Sequence, residues 1–244
     1  MQYSWDFLIF FKPSLTGEGQ YWELILQGLG RTVLLSLLSW FLALGLGVLL
    51  GIARTLPARW LSLPAGLFVH CFRNTPLLVQ VFLWFYVVPE LLPTRWGMAI
   101  KQMDPTLNQF LTALLALTLY TAAKAAEVIR SGIQAVSRGQ THAASALGLN
   151  GMGSYRHVIL PQAFRIIMPP LTSDFLNVFK NSSVALTIGF MELTGQTRQI
   201  GDFSAQPFEA YIAATVIYTF VTLTVIWFMQ RIERASRIPG FLGA

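Results

Sequence analysis

Charge is scarce in this chain. Only 11% of its 244 residues are Asp, Glu, Lys or Arg, whereas 54% are apolar. A soluble domain carries about 25% charged residues, so the composition argues against a water-soluble globule. Cysteine is reduced to Cys71, which excludes an intramolecular disulfide and leaves a small buried apolar residue as the simplest reading. The three histidines, His70, His142 and His157, are scattered, with no spacing that suits a metal ion or a nucleophilic triad. No Gly-x-x-x-x-Gly-Lys-[Ser/Thr] phosphate loop is present, so the chain is not itself an ATPase. We therefore expect no catalytic residue, no metal and no cofactor bound by this chain. The sequence shows no internal repeat of the kind found in many secondary transporters. Its start, Met1-Gln2-Tyr3-Ser4-Trp5-Asp6, lacks a basic leader, so the first apolar segment is expected to be retained. The net charge of +6 is not gathered in a basic domain. Membrane lipid, not nucleic acid, is the expected surroundings.

What is present is a series of long apolar runs. A membrane span needs about 20 mostly apolar residues. Five segments qualify, at about 32–53, 63–88, 107–129, 166–190 and 211–229. The second and fourth contain polar residues. Basic residues favour the cytoplasmic face. Arg54 and Arg59 follow the first segment; Arg130, Arg138, Arg156 and Arg165 follow the third; Arg231, Arg234 and Arg237 follow the fifth. The other side holds Lys12, Arg31, Arg95, Lys101 and Arg198 with most of the acids: Asp6, Glu18, Glu23, Glu90, Asp104, Glu192, Asp202 and Glu209. The expected arrangement is an all-α polytopic membrane protein with five transmembrane helices, its N-terminus outside and its C-terminus inside. Residues 1–31 form an outer segment, 32–230 the five-span domain and 231–244 an inner tail. Trp5, Trp22, Trp60, Trp84 and Trp96 fall mostly near segment ends, where aromatic belts are expected. Ala43, Gly47 and Gly51 recur every fourth residue in the first span. They form either a close-packing seam, for instance with another subunit, or only the ordinary glycine of membrane helices.

Between the third and fourth segments lies a polar island, the loop 133–162. Ser137 followed by Gln140 fits a capping box at a helix start, and Gly148 fits a helix end. The helix between them is short and rich in small side chains, so it is unstable alone. It either docks into a partner's groove or connects the spans along the membrane surface.

Gln140-Thr141-His142-Ala143-Ala144, then Gly148, then Leu160-Pro161, resembles the "EAA" loop of permease subunits of ATP-binding-cassette importers. His142 stands at the usual Glu position, a departure that puts a specific salt bridge by that residue to the ATPase in doubt but not the docking helix itself. Phe72-Arg73-Asn74-Thr75-Pro76, Glu127-Val128-Ile129-Arg130 and Phe179-Lys180-Asn181-Ser182-Ser183 resemble stretches of the polar amino acid permeases, and Val88-Pro89-Glu90-Leu91-Leu92-Pro93 is similar to glutamate/aspartate permease subunits. The resemblance implies the MetI-like fold of type I importers. It implies two ATP-binding subunits holding ATP and Mg, a second permease subunit (a paralogue), and a periplasmic amino-acid-binding protein. It implies ATPase coupling through Gly139, Gln140, His142, Ala143, Ala144, Leu147, Gly148, Leu160 and Pro161. The function implied is a bacterial inner-membrane permease for glutamate or aspartate. Glutamine, another polar amino acid or an opine is the alternative substrate, and an ATPase-independent secondary transporter the alternative mechanism.

Polar residues inside a bilayer are costly and default to functional candidates. Asp174, Asn177 and Asn181 recur at helical spacing on one face of the fourth span, with Lys180 on an adjoining face and Ser182 following. Asp174 could meet an ammonium and Lys180 a carboxylate; alternatively both only pair with other residues and hold helices together. Pro76 disfavours helix at Thr75, and a break there frees backbone groups for a charged ligand, with Arg73 suited to a dicarboxylate. The alternative is an interfacial arginine before a helix that starts at proline. Lys124, Glu127 and Arg130 lie three apart and are read as charge pairing within one helix. Pro169-Pro170 is expected to begin or kink the fourth helix.

Overall fold

The structure is a computed structural model that describes residues 3–15, 17 and 19–235. Glu18, Arg237, the side chain of Arg234 and most of the tail 231–244, all used in the charge argument, lie outside the described residues. The described chain is helical apart from one isolated bridge between Pro13 and Gln20.

A short 3-10 turn, Phe7–Phe11, precedes α1 (Tyr21–Ala53). Then come α2 (Arg59–Asn74), α3 (Leu77–Phe82), α4 (Val88–Leu91), α5 (Thr94–Lys101) and α6 (Pro105–Gln134). The polar island carries α7 (Arg138–Ala146) and α8 (Gly151–Ser154), followed by α9 (Leu160–Asn181), α10 (Leu193–Ser204) and α11 (Pro207–Ala235). Among the described residues, three helices are long and apolar enough to cross a membrane: α1, α6 and Pro207–Glu233 of α11. The pair Arg59–Asn74 and Leu77–Leu91 makes a fourth if the two bent pieces count as one span.

Several boundaries differ from the sequence expectation. Helix α1 starts at Tyr21, so eleven residues of the supposed outer segment, 21–31, are already helical. Arg31 marks an edge of hydropathy, but it does not interrupt a helix. The second segment is broken at Thr75 because Pro76 holds φ −56° and ψ 138° and has no N–H to continue the ladder. Pro169-Pro170 does not begin a helix; both lie inside α9. The segment expected to end at Phe190 leaves α9 at Asn181 and continues as a 3-10 turn, Ser182–Ile188, closed by Gly189 at φ +87°.

The starts of other helices follow local chemistry. Asp104 caps α6 by accepting from Leu107 N at 2.9 Å, with Pro105 in the first turn where its missing N–H costs nothing. Glu192 caps α10 by accepting from Thr194 N and Gly195 N.

Among the described residues the chain divides into two compact units. The first draws on Met1–Trp40, Thr75–Thr118 and Val178–Leu223, the second on Phe41–Asn74, Leu119–Asn177 and Thr224–Ala244. The core of the first gathers Ile9, Tyr21, Leu24, Ile25, Leu193, Ile200 and Ala210. In the second, helices meet on small residues. A Cβ added at Gly47 would lie 2.8 Å from Ala125 Cβ, and one at Gly51 2.9 Å from Ala126 O. The four-residue repeat in α1 is thus a seam with α6 of the same chain, where backbones approach closely. Gly132 of α6 meets Ile167 of α9 in the same way.

Candidate coupling and translocation sites

The polar island is built from helix ends. Ser137 Oγ accepts from Gly139 N at 3.2 Å and opens α7. The reciprocal capping box does not form: Gln140 Oε1 instead accepts from Gln162 Nε2 at 3.4 Å, joining the island to α9. The far end is closed by Gly148 at φ +82°, with Leu149 N donating to Ala144 O and Gly148 N to Ser145 O. These two bonds are the Schellman pattern, which needs a left-handed residue where Gly148 stands. Ala144 is only 2% exposed, so it seats α7 on its own chain. Gly139, Gln140, His142, Ala143, Gly148 and Pro161 face outward, as do Leu147 and Leu160. Leu147 is 84% exposed and Met152, on α8, 76% exposed. Met152 was not singled out from sequence; an apolar residue next to the loop glycine was the available signal.

The second unit also contains an open cavity of about 450 Å³, lined by Arg73, Lys124, Glu127, Val128, Ser131, Pro170, Ser173 and Asp174. Its charges are paired across helices. Lys124 Nζ lies 3.0 Å from Asp174 Oδ1, and Asp174 is 8% exposed. Glu127 Oε2 lies 2.5 Å from Arg54 Nη1 and 3.8 Å from Arg73 Nη1, while Glu127 Oε1 lies 2.5 Å from Arg130 Nη2. One carboxylate thus faces three guanidiniums. Positive charge is in excess, and Arg73 is the half-exposed member of the set. Arg73 and Asp174 therefore share one cavity. Lys124 and Glu127 join them, with Arg54 paired to Glu127 from outside the lining, although the sequence reading confined Lys124 and Glu127 to pairing within one helix. That pairing exists between Glu127 and Arg130, but the partners on α2 and α9 are remote in sequence and no local pattern announces them.

The remaining candidates lie elsewhere. The carbonyl of Thr75, freed by the break at Pro76, accepts from Gln80 Nε2 at 3.0 Å. Asn177 is half-buried and does not line the cavity. Lys180, Asn181 and Ser182 belong to the first unit. Lys180 is exposed; Asn181 and Ser182 line a small pocket among Leu35, Leu77 and Val81, and Ser182 Oγ donates to Phe179 O at 2.8 Å.

The first unit holds two buried carboxylates, Glu192 and Glu209. Glu192, fully buried, accepts from Tyr218 OH at 2.9 Å and Thr32 Oγ1 at 3.3 Å besides its two capping bonds. It ties α1, α10 and α11 together. Nothing in the sequence pattern set it apart from the other acids.

Residues 43–238 match the family described as "Binding-protein-dependent transport system inner membrane component". The chain belongs to this family. It is 41% identical over 244 residues to the glutamate/aspartate import permease protein GltJ of Escherichia coli strain K12, covering 100% of this chain and 99% of that one. It is 34% identical over 198 residues to the L-cystine transport system permease protein TcyL of Bacillus subtilis strain 168, covering 79% and 80%. Among solved structures it is similar to an amino acid ABC transporter crystallised with histidines, at TM-score 0.77 and 32% identity, covering 88% of this chain and 95% of that one. It also shares the fold of the MetNI methionine ABC transporter, at TM-score 0.71 and 18% identity, covering 88% and 97%. The chain is therefore an all-helical, multi-pass permease subunit of an amino acid ABC importer, with the MetI-like fold. It is the membrane component and not the enzyme; in such systems ATP hydrolysis resides in separate partner subunits.

Proposed function

We propose that this permease imports glutamate and aspartate. It would form half of a translocation pathway with a paralogous permease subunit, two ATP-binding subunits and a periplasmic binding protein. The cavity carries this reading. A dicarboxylic amino acid presents one ammonium and two carboxylates, so its site needs both signs with positive charge in excess. Arg73, Lys124, Glu127 and Asp174 line the cavity with both signs in a volume suited to a small ligand, and Arg54 and Arg130, which pair with Glu127 from outside the lining, tip the whole cluster to positive. Arg73 is the donor for a carboxylate, by a two-pronged contact that lysine cannot make. Asp174 receives the ammonium when Lys124 releases it. Thr75, Asn177, Lys180, Asn181 and Ser182 complete the proposed pathway. Full-length similarity to GltJ supports the substrate. Similarity to a nopaline permease of Agrobacterium fabrum, at 34% identity over 203 residues, favours an opine or another polar amino acid as the second reading.

The proposed topology has five spans within 32–230, the segment 1–31 periplasmic and the tail 231–244 cytoplasmic, which places loop 133–162 beside the ATPase. Gly139, Gln140, His142, Ala143, Ala144, Leu147, Gly148, Leu160 and Pro161 form or support the docking helix. ATP-driven closure moves α7, and with it α6 and α9, so that the cavity changes its facing and its affinity. Without different affinities in the two states no net transport follows.

Reconstitution with the ATPase and binding protein in proteoliposomes tests this. Glutamate and aspartate should stimulate ATP hydrolysis and accumulate, and Arg73→Gln should abolish accumulation. Stimulation by glutamine or an opine alone would move the assignment to the second reading. Uptake at full rate without the ATPase would end it, and tags at the two termini reporting the same side would overturn the odd span count.

A further inference from the structure

The segment before α1 exposes more apolar surface than it buries. In the 3-10 turn Phe7–Phe11, Ile9 enters the core and Phe10 packs against it. Leu8 is 71% and Phe11 65% exposed, and Trp5, Phe7 and Leu15 are exposed as well. Such a cluster on a soluble surface marks an interaction site.

The segment is held firmly in this position. Asp6 N donates to Glu209 Oε1 at 2.8 Å, Tyr3 OH donates to the same fully buried carboxylate, and Lys12 closes on Asp6. The rings form a rigid ladder: Trp5 stacks on Phe7 with centroids 5.9 Å apart, and Tyr3 packs edge-on against Trp5 at 5.0 Å and Phe208 at 4.8 Å. Below the ladder lies an open groove of about 330 Å³, lined by Trp5, Phe208, Tyr211, Ile212, Thr215 and Val216, with no charged residue.

The groove continues into the exposed face of α11. Phe208, Tyr211, Ile212, Val216, Phe220 and Leu223 follow one another at helical spacing, all exposed, on a helix long and apolar enough to span the bilayer. That continuity decides the occupant. A surface that runs without a charged residue from a membrane-spanning helix to a ladder of Trp, Tyr and Phe, with the hydroxyls of Thr215 and Thr219 bonded to backbone carbonyls, has the profile of hydrocarbon meeting the headgroup region. The Asp6–Lys12 pair supplies the polar edge.

We infer that residues 3–15 are an in-plane membrane anchor and that the groove between Trp5 and Val216 holds the acyl chain of a glycerophospholipid. Burying Leu8, Phe11 and Leu15 in the same leaflet fixes the joint beginnings of α1 and α11 at the interface, so that helix motions during transport pivot about that level.

The test uses the full complex in nanodiscs of phosphatidylethanolamine and phosphatidylglycerol. Nitroxide labels are placed at Leu8→Cys and Val216→Cys in a Cys71→Ser background. Collision with molecular oxygen, which partitions into acyl chains, should exceed collision with a water-soluble nickel chelate severalfold at both positions. Nickel dominance at Leu8 would place the segment in water and overturn the anchor. Protection from both colliders at Val216 would show the groove covered by protein, a second permease included, and overturn the lipid. If a cysteine variant fails to assemble, phospholipids brominated on the acyl chain give a second measurement. They should quench the unlabelled complex more than the Trp5→Phe complex, and equal quenching would refute the contact.

Discussion

Gly132 sits on α6 where the helix leaves for the coupling loop, buried beneath Ile167 of α9. A methyl group there would lie 2.2 Å from Ile167 Cγ1 and 3.0 Å from Cδ1, well inside contact distance. Ile167 is itself buried, so Gly132→Ala must push it from its rotamer or part the helices, at about 1–3 kcal/mol. Alanine's better helix propensity offsets about 1 kcal/mol of this. The net loss is about 1 kcal/mol, or roughly 2–4 °C in melting midpoint for a chain of this size. Ile167→Ala alone leaves a cavity and should cost about 2–5 kcal/mol. In that background the clash is gone: the remaining Cβ at position 167 stands 3.5 Å from the new methyl, an ordinary contact. Gly132→Ala should then stabilise by up to about 1 kcal/mol. The effect of one substitution thus reverses sign with its neighbour, a coupling within the range expected of touching residues. Gly45→Ala, with nothing within 4 Å of the added atom, is the control and should not lower the midpoint. The assay is thermal denaturation of the purified complex in one detergent at fixed concentration, followed by tryptophan fluorescence. An equal shift of the same sign in both backgrounds would refute the packing argument.

Three further outcomes follow from the other contacts. Asp174→Ala leaves Lys124 without its carboxylate in the cavity and should lower uptake far more than Asp202→Ala, whose pair with Arg198 is exposed and worth at most about 1 kcal/mol; equal uptake would remove Asp174 from the pathway. Gly148→Val places a β-branched residue at φ +82° and should cost at least about 1–2 kcal/mol in the loop, lowering substrate-stimulated ATPase while membrane insertion persists, whereas Gly148→Asn should retain most coupling. Glu192→Ala removes the acceptor for two backbone N–H groups and two hydroxyls, so the complex should lose roughly 1–3 kcal/mol, with Tyr218→Phe costing less; a Glu192→Ala complex as heat-resistant as the parent would contradict the buried hub.

What could be read from sequence was what is decided locally. Ser137 and Gly148 mark the two ends of α7 because one supplies a side-chain acceptor and the other a left-handed backbone, whatever surrounds them. Pro76 breaks the second segment for an equally local reason. The resemblance around Gln140–Gly148 and Leu160-Pro161 carried the family. Two kinds of feature escaped. Hydropathy placed the start of the first span just after Arg31, but a guanidinium inside a helix does not interrupt it; Arg31 Nη1 donates to Met191 O at 3.1 Å. The pairings of Glu127 escaped because Arg54 and Arg73 lie far from it in sequence. Spacing within α6 offered Arg130 as a sufficient partner and concealed the other two.

Glu127 is where the architecture and the proposed mechanism meet. Its single carboxylate gathers Arg54 from the end of α1, Arg73 from the end of α2 and Arg130 from its own helix. Three guanidiniums brought together without it would repel one another in a partly desolvated site, where charge interactions exceed their strength in water. The carboxylate therefore holds this cluster of the second unit together and leaves its four side chains with positive charge in excess. Arg54 and Arg130, at 2.5 Å, are committed to it, but Arg73 at 3.8 Å is only loosely held. Under the proposed function, a ligand carboxylate entering the cavity would compete with Glu127 for Arg73 alone. It can bind without dismantling the contacts that join α1 to α6. Under the proposed function, affinity would change with the position of one side chain on α2, while the close glycine seams would keep α1, α6 and α9 packed as the coupling loop moves.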